Sequence, residues 1–315
     1  MARMQLFEAR NSAIVYVFRE GATVISHTQV RAAAEQYREE GYALVRQFID
    51  GEEVVRLRKE ARRIYEEGMR HPSTWRHGNL CFEILPEADF GARYVIQAYW
   101  MSWISEYFER FRRSDAYLTL LGPILGDSIK QVAQQIHWKP PGSRLNGYRF
   151  HQDLRFREAR GAYRDIAGST VNTGLAIDPA TRENGCLQVI PGSQKLGYLG
   201  LSDDSEGGQI MKGLTTEDEL RAKGLDPDAI VWLEQEPGDI ALWGLLTVHG
   251  SLPNMSDKDR AFAISSYVRA ENSDRGEWAF RDGVSVPLGT EPQLCKYEAL
   301  HDRPGPHYVD TKWYN

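Results

Sequence analysis

From about Ser128 onward the chain is a succession of short apolar runs separated by turn chemistry, and this pattern constrains its fold more than any other. "SIKQVAQQIHWK" is followed by the turn-rich "PPGSRLNG", "STVNTGLAI" by "DPATRENG", "CLQVI" by "PGS", and "AIVWLEQ" by "EPGD". "IALWGLLTVHG" and "RAFAISSYVRA" complete the series. Pro fixes φ, Gly reaches positive φ, and Asn and Asp bond their own backbone, so each break is a physical stop. Strands this short must pair with several neighbours to bury their apolar faces. The expectation is therefore a mainly β protein, a sandwich or barrel with flanking helices.

The helices come first. "TQVRAAAEQYREEG" (Thr28–Gly41) begins at a capping threonine and ends at a glycine. "YALVRQF" (Tyr42–Phe48) alternates as a strand. Asp50–Arg70 sets Val54, Val55, Leu57, Ala61 and Ile64 at helical spacing, with acids early and bases later, as the helix dipole favours. A second helical block spans roughly Met101–Leu121 and stops at Gly122, and residues 1–25 read as a strand or a loosely held arm. The whole chain, 1–315, is expected to be one domain: a helical part over about 26–122, a barrel over about 123–270 and a tail over 271–315.

Composition narrows the function classes. A net charge of −6 gives no electrostatic reason to expect nucleic acid or an anionic membrane as partner. Cys81, Cys186 and Cys295 are odd in number and far apart, so neither a disulfide scaffold nor a zinc knuckle is indicated. No apolar run is long enough for a signal segment or a spanning helix, and a cytoplasmic protein is expected. GxGxxG, P-loop, HExxH and GxSxG patterns are absent, which removes dinucleotide, nucleotide, zincin and serine-hydrolase chemistry.

What remains is "GYRFHQDLRFR" (Gly147–Arg157), which places His151 and Asp153 two residues apart. On an extended segment i and i+2 face the same way, so both can reach one ion while Gln152 points elsewhere. His249, in "LWGLLTVHGSLPN", is a candidate third ligand, and Arg260 follows it by eleven residues. Two imidazoles and a carboxylate on a β scaffold can hold one face of an octahedral ion and leave the other positions open. Taken alone, His-x-Asp is equally a hydrogen-bonded surface or core pair. His137, beside Trp138 on an apolar strand, reads as a barrel residue, and His71, His77, His301 and His307 read as non-ligands.

The surrounding blocks resemble the phytanoyl-CoA dioxygenase family of Fe(II)- and 2-oxoglutarate-dependent oxygenases. "QYREEGYALVRQFIDGEEVVRLRKEA", "WKPPGS" before "HQD", "RENGCLQVIPGSQKLG" and "EPGDIALWGLLTVHGSLPNMSDKDRAFAISSYV" follow in the family's order over about residues 30–270. The resemblance implies a double-stranded β-helix, a jelly-roll or cupin-like barrel. It implies Fe(II), 2-oxoglutarate and O2 as cofactors, with His151, Asp153 and His249 as iron ligands and no further catalytic side chain. Arg260 matches the arginine that grips the far carboxylate of 2-oxoglutarate, a task suited to a planar guanidinium. Ser251 matches a hydroxyl that assists it, and Gln135 falls near another co-substrate position. Where the family often carries an aromatic this chain has Gly174, beside Asn172 and Thr173, so that wall is expected to differ. Halogenating relatives replace the carboxylate with a small residue; Asp153 is retained, which favours hydroxylation.

The expected reaction is oxidation of an unactivated C–H bond of a small molecule, with release of succinate and CO2. Desaturation, cyclisation, epoxidation and endoperoxide formation use the same ligands, and substrate placement decides among them. A non-catalytic metal- or ligand-binding barrel and a cupin-like metal isomerase are the readings from other classes. Trp138, Phe150, Arg155 and Trp243 are candidate substrate-lining residues, and each is equally a packing residue. Arg144, Arg149, Arg157, Arg160 and Arg164 also surround the proximal ligands and could meet an anionic substrate or pair with neighbouring acids. The long polar segment Leu196–Ala229 is expected to be a lid or binding loop, shaping the substrate site together with the N-terminal helices.

Overall fold

The computed structural model describes residues 25–85, 87, 91–142, 147–202 and 214–309; the N-terminal arm lies outside them, apart from Ile25, and so does Arg144. Helix α1 (His27–Glu40) is capped two residues before the expected Thr28. Ser26 Oγ accepts from the Gln29 N–H, and the Gln29 side chain accepts from the Ser26 N–H at 2.9 Å, a capping box that puts Thr28 inside the first turn. Gly41 closes the helix at φ 80, its N–H donating to Tyr37 O at 2.9 Å. A Cβ there would stand 2.4 Å from Gln194 Oε1, so both backbone and space require glycine.

Strand β1 (Tyr42–Val45) leads to α2 (Gly51–Gly68), capped by Asp50, whose carboxylate accepts from the Glu53 N–H at 2.8 Å. Val54, Leu57, Ala61 and Ile64 are buried, but Val55 is 64% exposed because one step turns it about 100° off that face. The last turn carries no base, contrary to the charge gradient expected there.

Three strands then form where no element was anticipated: β2 (Trp75–His77), β3 (Leu80–Leu85) and β4 (Tyr94–Tyr99). The second helical block is two helices, α3 (Glu106–Phe111) and α4 (Asp115–Leu125), with Ser114 between them. Helix α4 runs past Gly122 because its stop is Gly126, at φ 84, whose N–H bonds Gly122 O at 2.8 Å.

The β region follows as β5 (Ile129–Lys139), β6 (Tyr148–His151), β7 (Thr170–Ala176), β8 (Leu187–Val189), β9 (Val231–Leu233), β10 (Ile240–Gly244), β11 (His249–Ser251), β12 (Arg260–Arg269), β13 (Glu277–Arg281), β14 (Val284–Ser285) and β15 (His307–Tyr308), with α5 (Glu217–Ala222) between β8 and β9. Among the described residues they make two antiparallel sheets. The larger runs β1-β10-β7-β12-β5-β4-β3-β2-β15, with β13 and β14 attached beside β5; the smaller runs β6-β11-β8-β9. This is a jelly-roll, cupin-like arrangement, as the family resemblance implied.

Alternation along the large sheet sorts side chains to its two faces. On β5, Ala133, Gln135 and His137 face the inside, while Ile136 and Trp138 join a core with Leu57, Ile64, Leu120 and Leu121 of the helices. On β12, Arg260, Phe262, Ile264 and Ser266 face inside, and the same alternation puts Ala261, Ala263 and Tyr267 on the helical side; the register shift opposite Ser266 and Tyr267 leaves Val132 of β5 as the extra residue. The helices thus cover the outer face and do not reach the inner space. The described part of Leu196–Ala229 is not a lid either. Leu199, Leu201, Leu220 and Leu225 pack with Phe150, Ile190 and Val248 as a separate cluster on the small sheet.

Candidate metal centre and its cavity

In the small sheet β6 and β11 are neighbours, with His151 directly opposite His249. The chain stays extended through Gln152 (φ −122, ψ 128) and only then enters a 3-10 turn at Asp153. Asp153 is therefore not on the strand, yet the two-residue spacing still sets it beside His151. Gln152 points the other way, fully buried, donating to Gly197 O and Leu246 O and accepting from the Leu199 N–H, all at 2.7 Å.

His151 Nε2 lies 3.4 Å from Asp153 Oδ1, and His249 Nε2 lies 3.5 Å from Asp153 Oδ2. One ligand atom from each of the three residues falls within 4.8 Å of the others, and no second group of this kind occurs among the described residues. The outer atoms are already committed. His151 Nδ1 donates to Arg149 O at 2.7 Å and His249 Nδ1 to Thr247 O at 2.9 Å, since a carbonyl only accepts. Both Nε2 lone pairs are thereby aimed inward. Asp153 Oδ2 accepts from Asn172 Nδ2 at 2.7 Å (β7) and from Trp243 Nε1 at 3.1 Å (β10), which ties the carboxylate to the large sheet and leaves Oδ1 free. Burial alone would raise the Asp153 carboxyl, but the His249 and His151 imidazoles outweigh it and hold the group well below the usual range. Burial, with His151 adding to it, lowers His249 to about 4, so its imidazole is neutral at pH 7. Two imidazoles and one carboxylate, oriented from behind, fit a divalent ion with imidazole and carboxylate preference.

Deeper along the same inner face stands Arg260, 4% exposed. Its Nη1 donates to Gly185 O at 2.9 Å and its buried Nε has no partner. Lys139, its direct register partner on β5, was missed in the sequence; its ammonium donates to Ser251 Oγ at 2.7 Å, to Leu252 O at 2.5 Å and to Gly185 O at 3.3 Å. The signal was present in "WKPP" and in the alternation that puts 135, 137 and 139 on one face. The Asn184–Gly185 turn, expected only to support the fold, also places the carbonyl that both cations share. A Cβ on Gly185 would fall 2.0 Å from Leu252 O, so no other residue fits there. Neither cation has a carboxylate partner among the described residues. Burial lowers Arg260 to about 10, and burial with Arg260 drives Lys139 well below its ordinary value. A buried, half-satisfied cation pair is costly unless an anion completes it.

Between the sheets lies a cavity of about 430 Å³, lined by His151, Asp153, His249, Gln135, Ser251 and Arg260 and reaching Trp243. Gln135 Oε1 meets His137 Nε2 at 2.7 Å; burial, then Arg260 and Lys139, lower His137 to about 3, so it is a neutral wall residue. Three expected lining residues are absent from this wall. Trp138 faces the helices and packs edge-on against Tyr65, because its neighbours in sequence face inward. Phe150, adjacent to His151, points into the cluster behind the small sheet for the same reason. Arg155 turns outward, to the Ser202 carbonyl and the face of Phe156. At Gly174 the unusual wall is explained: a Cβ would meet Phe262 at 2.6 Å and Trp243 at 2.9 Å, so those rings fill the space an aromatic would take. The rest of the wall includes Glu83 of β3, Tyr99 of β4, Tyr148 of β6, Arg157 just after the turn at Asp153, and Lys296 of the tail.

Comparison with known proteins agrees with this geometry. The family model for phytanoyl-CoA dioxygenase matches residues 37–262. A dioxygenase, lolE1, of Epichloe uncinata is 25% identical over 62% of this chain, which spans 63% of that protein's length. A probable alpha-ketoglutarate-dependent hypophosphite dioxygenase of Stutzerimonas stutzeri is 24% identical over 76% of this chain and 79% of its own. Among solved structures, EctD from S. alaskensis with bound Fe superposes with a TM-score of 0.59 at 20% identity, covering 85% of this chain and 88% of that one. The epimerase SnoN in complex with Fe3+, alpha ketoglutarate and nogalamycin RO gives 0.53 at 19% identity, covering 85% and 96%. With more than half its length matched and the ligand set assembled between its sheets, the chain belongs to the phytanoyl-CoA dioxygenase family, a family of Fe(II)- and 2-oxoglutarate-dependent enzymes.

Proposed function

We propose that this protein is an Fe(II)- and 2-oxoglutarate-dependent oxygenase that hydroxylates a C–H bond of a small molecule, and that residues 25–309 act as one domain. The observation that carries the reading is the pairing of two sites on one inner face: a His151–Asp153–His249 set with both Nε2 atoms turned inward, and an uncompensated buried cation at Arg260. His151, Asp153 and His249 would hold the iron. Arg260 and Lys139, with Ser251 held by Lys139, would grip the far carboxylate of 2-oxoglutarate. When bound, the iron and co-substrate supply the oxidising power that O2 alone lacks.

The chain's own residues do the rest. The Arg149 and Thr247 carbonyls fix the imidazole tautomers, and Asn172 and Trp243 fix the carboxylate. No side chain at the centre is placed as a general base, since both histidines and Asp153 are taken. A cavity of about 430 Å³ suits a small-molecule substrate, and two relatives are named for small phosphorus compounds, hypophosphite and methylphosphonate. Among the described residues no helix is long and apolar enough to cross a membrane.

The test is anaerobic addition of Fe(II) and 2-oxoglutarate, followed by visible absorption. A weak charge-transfer band that disappears in His151→Ala and weakens in Arg260→Ala is expected. Wild-type protein that binds iron but develops no band overturns the co-substrate assignment.

A further inference from the structure

The outer part of the cavity poses a charge problem that the iron and 2-oxoglutarate do not solve. Arg157, 3% exposed, lies in the wall, and its guanidinium makes one hydrogen bond among the described residues, from Nη2 to Ser266 Oγ at 2.8 Å; its buried Nε has no partner. Lys296 comes from the tail, beyond the stretch that matches the family model. Its contact is with the face of Phe156, 5.6 Å from the ring centre, and no hydrogen bond or carboxylate within ion-pair distance engages its ammonium. Lys296 is exposed as a residue and lines the cavity, and protein atoms nonetheless crowd its ammonium. Burial and then Arg157 lower it to about 7, although Asp153 pulls the other way.

The acids in the wall do not cancel these cations. Glu298 is bonded to Arg275 at 2.6 and 3.0 Å. Glu158 is exposed at the rim. Glu83 accepts from Tyr99 at 2.8 Å, and burial pushes its carboxyl up to about 7, so near neutrality it is only partly charged. Asp153 is the one further carboxylate that both cations feel, and in the reading above it belongs to the metal. A dipositive ion there makes the centre more positive, and 2-oxoglutarate is held at the Arg260 end. The Phe156 ring sits 5.8 Å from the His151 ring, so Lys296 stands within two ring contacts of the metal ligands, at substrate range.

We infer that Arg157 and Lys296 form an anion-binding end of the substrate cavity, and that the substrate carries an oxyanion head, a carboxylate or a phosphorus oxyacid, with its reacting carbon between that head and the metal centre. The inference deepens the proposed function and rests on it for the word substrate. Lys296 is then a specificity-determining residue supplied by the tail.

Calorimetric titration of metal-free protein with hexanoate, hexylphosphonate and hexanamide tests it. Wild type is expected to bind an anion at least about tenfold more tightly than the amide, as one charge-assisted hydrogen bond warrants. Lys296→Met should lose that preference with unchanged amide binding and an unchanged circular dichroism spectrum, and Lys296→Arg should restore it. Preference for hexanoate or for hexylphosphonate assigns the head group, and either supports the inference. Equal binding of anion and amide by wild type, or an anion preference that survives Lys296→Met and vanishes in Arg260→Leu, overturns it. The visible band with Fe(II) and 2-oxoglutarate, recorded on the same preparations, separates the two failures. A wild type without the band defeats the oxygenase reading and leaves the anion result standing, whereas a normal band in Lys296→Met shows that only the outer end was altered.

Discussion

The cavity has two cationic ends, and they are built differently. At the inner end Arg260 and Lys139 are register partners on long paired strands, and backbone carbonyls and Ser251 already hold them. At the outer end Arg157 and Lys296 lie in irregular segments, and a single side-chain hydrogen bond, from Arg157 to Ser266, engages the pair. The contrast teaches what each end is for. A carbonyl cradle on a rigid ladder suits a ligand of fixed shape, met in every turnover. A loosely satisfied pair on variable connections suits the ligand that distinguishes one enzyme of the family from the next.

Breaking the centre should have the largest effect. Asp153→Ala removes the only carboxylate of the ligand set, and iron binding measured by equilibrium dialysis should fall below detection. Breaking the inner end alone comes next. Arg260→Leu strips the guanidinium from the Gly185 carbonyl, and 2-oxoglutarate affinity should fall by roughly a hundredfold, the scale for losing one side of a buried charge pair. Lys296→Met should leave that affinity within about twofold, given additivity of sites without shared partners. If both substitutions weaken 2-oxoglutarate equally, the two ends are one site. A smaller effect is expected behind the metal. Asn172→Ala frees Asp153 Oδ2 of one donor and should weaken iron binding by about tenfold, as supporting hydrogen bonds to metal ligands do.

The smallest effect concerns Glu83 at the outer end. Its folded-state carboxyl is raised to about 7 from an ordinary 4.5 by burial, so the native state binds the extra proton. Stability contributed by this group is therefore full below about pH 4.5 and is lost as pH rises towards 7. Glu83→Gln should flatten that slope, gaining on the order of 1 kcal/mol over wild type at pH 8 relative to pH 4.5 in urea titrations. An identical pH slope in both proteins would mean that the carboxyl is hydrated and ionised in the native state.

The sequence disclosed the parts of this site that obey short-range rules. His151 and Asp153 were legible because i and i+2 converge on extended chain, whereas Arg260 was singled out by the family resemblance of the block around it. Strands β2 to β4 went unread although Pro72, Gly78, Asn79, Pro86 and Gly91 punctuate them as the later ones are punctuated, because they lie between two helical stretches and were absorbed into a helical part. Trp138 and Phe150 were misplaced by one residue of parity, which moves a side chain to the opposite face of a sheet. Lys296 had no local signal at all: only the tertiary path of the tail brings it beside Phe156, far from it in sequence. Short-range patterning thus reveals the reaction centre sooner than the selectivity.

The pairing of β15 with β2, Tyr308 opposite Trp75, has a consequence for how the molecule is made. Synthesis delivers His151, Asp153 and His249 by residue 249 and the inner arginine by 260, whereas Lys296 and the edge strand that follows it come only afterwards. A nascent chain can therefore assemble its reactive centre before the wall that chooses what reacts there. Closing that wall requires one of the longest loops the chain can form, a step that topology makes slow.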